Sequence, residues 1–142
     1  MDFMTYSQGK KHAVEIPSGG DILDGFLFTP DDAKGIVLFV HGSGSSRFSS
    51  RNQYVAEYLN QTGLATLLFD LLTPDEESVD AYTREYRFDI ELLATRLIEV
   101  TNWSKEQFPN LNCGYFGSST GGGAALVAAA HRKEAVKCQS SP

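Results

Sequence analysis

No stretch of this chain stays apolar for the roughly 18 residues that a membrane-crossing helix needs, so a membrane-embedded protein is excluded first. The opening MDFMTYSQGKKHAVEIP has no apolar segment behind a basic one. No secretory signal is visible in it, and a cytoplasmic setting is the expectation. Basic side chains are scarce too: twelve Lys and Arg face eighteen Asp and Glu, a net charge of −6. That balance repels phosphate backbones and anionic lipid, so neither nucleic acid nor a membrane surface is expected as a partner. Cysteine occurs twice, at Cys113 and Cys138, without metal-ligand spacing; two buried thiols are expected, not a disulfide or a metal site. Internal repeats and low-complexity tracts are absent.

What remains is the composition of a soluble globular protein, 42% hydrophobic with nine Phe, in 142 residues. That length suits one core, so residues 1–142 are read as a single domain. HAVEI and DILDGFLF, separated by PSGG, read as two strands of a hairpin. GIVLFV, from Gly35 to Val40, is apolar without alternation, the pattern of a parallel strand covered on both faces. NQYVAEYLNQ places Tyr54, Val55, Tyr58 and Leu59 at helical spacing, with a C-cap at Thr62-Gly63. LATLLFD is the next buried strand. The acidic stretch after it, Asp75 to Asp89, reads as a solvated surface excursion that can hold one helical turn. Ile90, Leu93, Ala94, Leu97, Ile98 and Val100 then form a helical stripe, LNCGYFGS a strand, and TGGGAALVAAAH a helix. Buried strands alternating with helices after an antiparallel hairpin predict an α/β sandwich with a mostly parallel sheet.

Gly117-Ser118-Ser119-Thr120-Gly121 matches G-x-S-x-G in the setting that motif requires, a strand before and a helix after. Gly117 and Gly121 relieve the crowding of a sharp turn, so the Ser119 hydroxyl can stand clear as a nucleophile. A helix beginning there aims its amides and positive dipole end at the same point. The plainer reading is that Gly122, Gly123, Ala124 and Ala125 only let a helix pack closely on the sheet. A phosphate-cradling loop would need a closing Lys-Ser/Thr, which is lacking.

VHGSGSSR follows the third strand, and in a parallel sheet that strand end lies on the same edge as the serine turn. Its amides are candidates for the second oxyanion donor: Ser43 N–H together with Thr120 N–H, supported by His41, Gly42 and Gly44. A dinucleotide fingerprint competes, since Gly42-Ser43-Gly44 follows a strand and Asp70 ends the next. Arg47 stands where its third glycine should be, and the hairpin that opens the chain does not suit it.

The pairing of VLFVHGSGSSRFSSRNQYVAEYLNQTGLATLLFDLLTPDE with GYFGSSTGGGAALVAAA resembles the α/β-hydrolase superfamily, and within it the small dienelactone-hydrolase-like serine hydrolases. The likeness runs over residues 13–136. It implies an incomplete α/β-hydrolase sandwich: an N-terminal β-hairpin, then parallel strands with helices on both faces. It also implies a cofactor-free, metal-free enzyme cleaving ester-like or lactone-like bonds of a small molecule, with Ser119 as nucleophile and the loop after His41 in the oxyanion hole. Dienelactone hydrolases proper carry cysteine at that turn, so their substrate is not transferred.

In this fold the order is Ser, then Asp or Glu, then His. After Ser119 there is no Asp, only Glu134, and the one histidine is His131, twelve residues along the same predicted helix and about 18 Å away at 1.5 Å per residue. His41 is nearer, but the resemblance gives its position a loop-ordering role. EAVKCQSSP starts apolar and turns polar, so a sixth strand is not expected and the fifth becomes an open edge. The chain is therefore expected to be a C-terminally incomplete hydrolase, impaired on its own. The alternatives are a non-catalytic domain that pairs with itself or a complementing chain through that edge, or a dinucleotide-binding module.

Overall fold

The computed structural model describes residues 9–41, 45–86, 89–117 and, for the backbone alone, 136–140. The elements are β1 (Lys11–Ser18), β2 (Asp21–Phe28), β3 (Gly35–Val40), α1 (Ser50–Gln61), β4 (Ala65–Phe69), α2 (Pro74–Thr83), α3 (Ile90–Gln107), β5 (Asn112–Gly117) and β6 (Val136–Ser140). The strands form one six-stranded sheet in the order β1-β2-β4-β3-β5-β6.

The hairpin is present. Ser18 pairs with Asp21 across Gly19-Gly20, and Gly19 has φ +61°, a left-handed turn conformation that glycine adopts without steric cost. β1 runs on through Pro17, which an edge strand tolerates because no further strand needs its missing N–H. β2 pairs antiparallel with β4, whereas β3 pairs parallel with both β4 and β5.

β3 and β4 lack alternation because both faces of the sheet are covered. Ile36, Leu38, Val40, Leu67 and Phe69 pack with Leu93, Leu97 and Val100 of α3 in the larger core. Phe39 and Leu68 point the other way, against Ala56 of α1, with Val55 and Leu59 beside them. Each fully buried side chain of this size contributes about 1.5–3 kcal/mol relative to exposure.

Three expectations change. α1 forms, with the Ser49 side chain accepting the Asn52 amide at its N-terminus, but Tyr54 and Tyr58 are 74% and 61% exposed. The inward face instead carries Asn60, whose side-chain amide reaches the Leu64 carbonyl and Thr66 Oγ1, both at 3.0 Å. The acidic excursion contains the ten-residue helix α2, opened by a reciprocal cap: Thr73 Oγ1 accepts the Glu76 amide while Glu76 accepts the Thr73 amide. Asp75, Glu76 and Glu77 in its first turn suit the helix dipole.

The third change concerns the sheet edge. β6 pairs parallel with β5, with a register irregularity at Cys113/Gly114, so the fifth strand is not the open edge that the sequence suggested. Sheet pairing is made by backbone groups, and the polar letters Lys137, Gln139 and Ser140 did not prevent it. Among the described residues the outer strands are β1 and β6. Cys113 is buried, and among the described residues no helix is long and apolar enough to cross a membrane.

Candidate active site

Parallel pairing of β3 with β5 sets Val40 opposite Gly117. The chain therefore leaves the sheet at His41 and after Gly117 from neighbouring strand ends, on the same edge. Gly117, the first glycine of the serine motif, is buried at the end of β5. Ser119, Thr120 and Gly121, like Gly42, Ser43 and Gly44, lie outside the described residues, as does His131.

His41 is buried, and its Nε2 accepts the Leu71 amide at 3.0 Å. A nitrogen accepting such a bond cannot carry the proton, so this ring is held with Nε2 as its acceptor. That bond ties the start of the loop to the end of β4 and occupies the lone pair a general base would use. The Nε2 of His41 is thereby engaged with the main chain at Leu71.

The far end of the same loop is also tied to β4. The Arg47 amide donates to Asp70 Oδ1 at 2.7 Å, and the Arg47 guanidinium bonds Asp70 Oδ2. Asp70 in turn donates its own amide to the Asp24 carbonyl at 2.9 Å. Both Asp70 oxygens are thus engaged within the chain, where a dinucleotide-binding role would want them on a ribose.

Leu71 is pinned from a second side, because Arg96 Nη1 donates to its carbonyl at 2.9 Å. Arg96, 4% exposed on α3, also donates from Nη2 to Glu76 Oε2 at 2.6 Å and to Asp21 Oδ2 at 3.3 Å. Nearby, Glu99 accepts Ser18 Oγ at 2.5 Å and the Gly19 amide at 2.9 Å. Burial works to raise the Glu76 pKa, but the hydrogen bonds from Arg96 and Thr73 and the Arg96 charge prevail and hold it below the usual carboxylate range. The Glu76 hydrogen bond raises the Arg96 pKa against its own desolvation. This network joins the hairpin turn, α2, α3 and Leu71 after β4. Sequence reasoning missed it, although Arg96 falls three positions after Leu93 inside the apolar stripe, which was the available signal. Among the described residues no cluster of three or more His, Cys, Asp or Glu could hold a metal ion.

No protein-family model matches the chain. Among solved structures it is similar to a dienelactone hydrolase from Anabaena variabilis ATCC 29413, with 56% identity and a TM-score of 0.91 over 95% of this chain and 63% of that one. Est1E from Butyrivibrio proteoclasticus matches with TM-score 0.74 at 22% identity, over 89% of this chain and 49% of its own. A cold-adapted esterase from an Arctic intertidal metagenomic library matches with TM-score 0.76 at 16% identity, over 99% and 65%. At those two identities the likeness concerns the fold alone. Two Mycobacterium tuberculosis proteins, from strains CDC 1551 / Oshkosh and ATCC 25618 / H37Rv, are 55% identical over 126 residues; both carry the provisional name phosphoribosyl transferase. The match takes in 87% of this chain and 28% of theirs.

The sheet order and the paired strand ends are those of an α/β-hydrolase fold in incomplete form, spanning 63% of the length of the solved dienelactone hydrolase. Within that superfamily the chain is dienelactone-hydrolase-like.

Proposed function

We propose that this chain carries the nucleophile and oxyanion side of a serine hydrolase acting on ester- or lactone-like bonds of a small molecule. The observation that carries this reading is the register of Val40 against Gly117. It starts the glycine loop and the G-x-S-x-G turn from adjacent strand ends, where an attacking hydroxyl and an opposing amide are both needed. Ser119 Oγ would bond to the substrate carbonyl carbon and pass its proton to a base. The carbonyl oxygen takes up the electron pair between the Ser43 and Thr120 amides, and as the carbonyl reforms the leaving oxygen departs with the proton handed back by that base. Water then releases the acyl group by the same steps.

A base for Ser119 is not evident in these 142 residues: no Asp follows it, and His41 is committed to Leu71. Turnover by the chain alone is therefore expected to be weak. This chain matches 28% of the mycobacterial proteins, so their provisional transferase name is not carried over to it. A complementing chain, or a second copy, would pair along the outer edge of the sheet, which now lies at β6; light scattering reads this directly.

A fluorophosphonate probe tests the chemistry. Labelling should be strong when the chain is mixed with the C-terminal segment of the Anabaena enzyme, weak without it, and abolished in Ser119→Ala. Equal labelling of wild type and Ser119→Ala would end the proposal.

A further inference from the structure

α2 is joined to the sheet by polar groups. Of its own residues only Asp80 is buried, while its larger apolar side chains, Val79 and Tyr82, are exposed. Apolar anchoring stops just before it, at Leu71 and Leu72, whose side chains enter the larger core. The peptide groups of the connector from β4 are held by ionisable side chains instead. The Leu71 amide donates to His41 Nε2 at 3.0 Å, and the Leu71 carbonyl accepts from Arg96 Nη1 at 2.9 Å. Arg96 is aimed by Glu76, and the same carboxylate accepts the Thr73 amide at 2.9 Å as α2 begins. A segment with few buried apolar contacts and attachments of this kind opens locally before the whole fold does.

Both holds on Leu71 fail in the same direction of pH. Nε2 can accept only while it carries no proton, so a proton on His41 breaks the bond to the Leu71 amide. Arg96 keeps its charge, and that proton therefore sets a second cation against one residue. A proton on Glu76 leaves Arg96 without its carboxylate and weakens the cap on Thr73. Against burial, which raises it, the bonds from Arg96 and Thr73 hold the Glu76 pKa below 4.5, so this hold is present above that value and lost as pH falls through the lower one. The other ionisable groups about the connector are engaged elsewhere. Asp70, which follows Phe69 as His41 follows its partner Val40, is matched by Arg47; Asp21 and Glu99 act on Arg96, and Asp80 takes the Tyr86 amide. We infer that the connector and α2 form an acid-released latch: protonation of His41 and Glu76 frees the peptide groups of Leu71 and Thr73 and lets α2 swing from a sheet that stays folded. The connector leaves the sheet where β3 and β4 end side by side, Val40 against Phe69, so its release alters this edge. Nothing in the latch depends on Ser119.

Amide hydrogen exchange of the full chain, followed from about pH 7.5 to about pH 4, reads the latch residue by residue. Protection at Leu71 and Thr73 should fall at least about tenfold further than at Leu67 in the middle of β4. His41→Gln keeps an acceptor for the Leu71 amide that takes up no proton. Leu71 should then match wild type at neutral pH and hold its protection to lower pH. Glu76→Gln keeps an acceptor for the Thr73 amide but strands Arg96, so protection in α2 should already be about tenfold lower at neutral pH. A purely structural network would lower protection everywhere together and leave the pH at which Leu71 opens where it was. Parallel loss at Leu71, Thr73 and Leu67 down to about pH 4, or an unchanged Leu71 profile in His41→Gln, overturns the latch. If His41→Gln does not fold, nitrogen-15 shifts of the wild-type His41 ring decide: its protonation must coincide with the opening at Leu71, and a mismatch overturns the latch equally.

Discussion

Replacing Arg96 by Met takes the cation out of a site built around it. The arginine side chain is 5% exposed and its Glu76 partner 18%, whereas Asp21 is 54% exposed and adds little. Removing one member of a buried pair costs about 3–5 kcal/mol, because the other is left as an uncompensated charge. Glu76 retains some access to water, which argues for the lower end, about 3 kcal/mol, even with the bond to the Leu71 carbonyl lost as well. With unfolding entropy near 2.1 cal/mol/K per residue over 142 residues, that corresponds to a melting temperature lower by about 10 °C. Urea unfolding followed by far-UV circular dichroism reads the loss directly. Adding Glu76→Gln should restore about half of it, because the stranded charge is then gone. A loss below about 0.5 kcal/mol in Arg96→Met would refute the view that this network is a buried, mutually dependent unit.

The Glu76 carboxyl gives a pH dependence with a definite sign. Its folded pKa lies below the ordinary 4.5, so its stabilisation is present above that value and is lost as pH falls through the folded one. The urea midpoint should therefore drop on acidification below about pH 5, less steeply in Glu76→Gln; parallel acid limbs would count against the assignment. The Arg96 shift, being upward, matters only in strong base. A second test concerns Thr101, which is fully buried, donates to the Leu97 carbonyl at 2.7 Å and so must accept from the Tyr115 hydroxyl, also at 2.7 Å. Thr101→Val should cost about 1–2 kcal/mol, largely recovered by adding Tyr115→Phe, as measured by denaturant unfolding.

The central strands were legible because parallel strands covered on both faces leave unbroken apolar runs, and GIVLFV and LATLLFD are such runs. α3 was legible because Leu93, Leu97 and Val100 repeat at helical spacing. α2 was not, because its stability is written in its ends: Thr73, Pro74 and Glu76 spell a cap, but few apolar residues follow. The inward face of α1 was misjudged because tyrosine serves both environments, while Asn60 is drawn inward by acceptors on Leu64 and Thr66 that no periodicity reveals. β6 was hidden by polar side chains on a strand whose pairing is made by the backbone. At the candidate site the two glycine loops were legible as motifs. Their anchors were not: His41 bonds a main-chain amide at Leu71, and Arg47 meets Asp70 only once the strands are assembled.

The meeting of Val40 with Gly117 is fixed sideways, by strand pairing, rather than lengthwise along the chain. Neighbouring strands stand about 4.8 Å apart however long the detour between them. The detour here, through α1, β4, α2 and α3, comes back alongside β3 on its other side only at Asn112. Additions to its outer turns would redraw the surroundings of these two strand ends while leaving the gap between the two emerging peptides as it was. A scaffold with this property can take on new molecular appetites without recalibrating its reactive geometry.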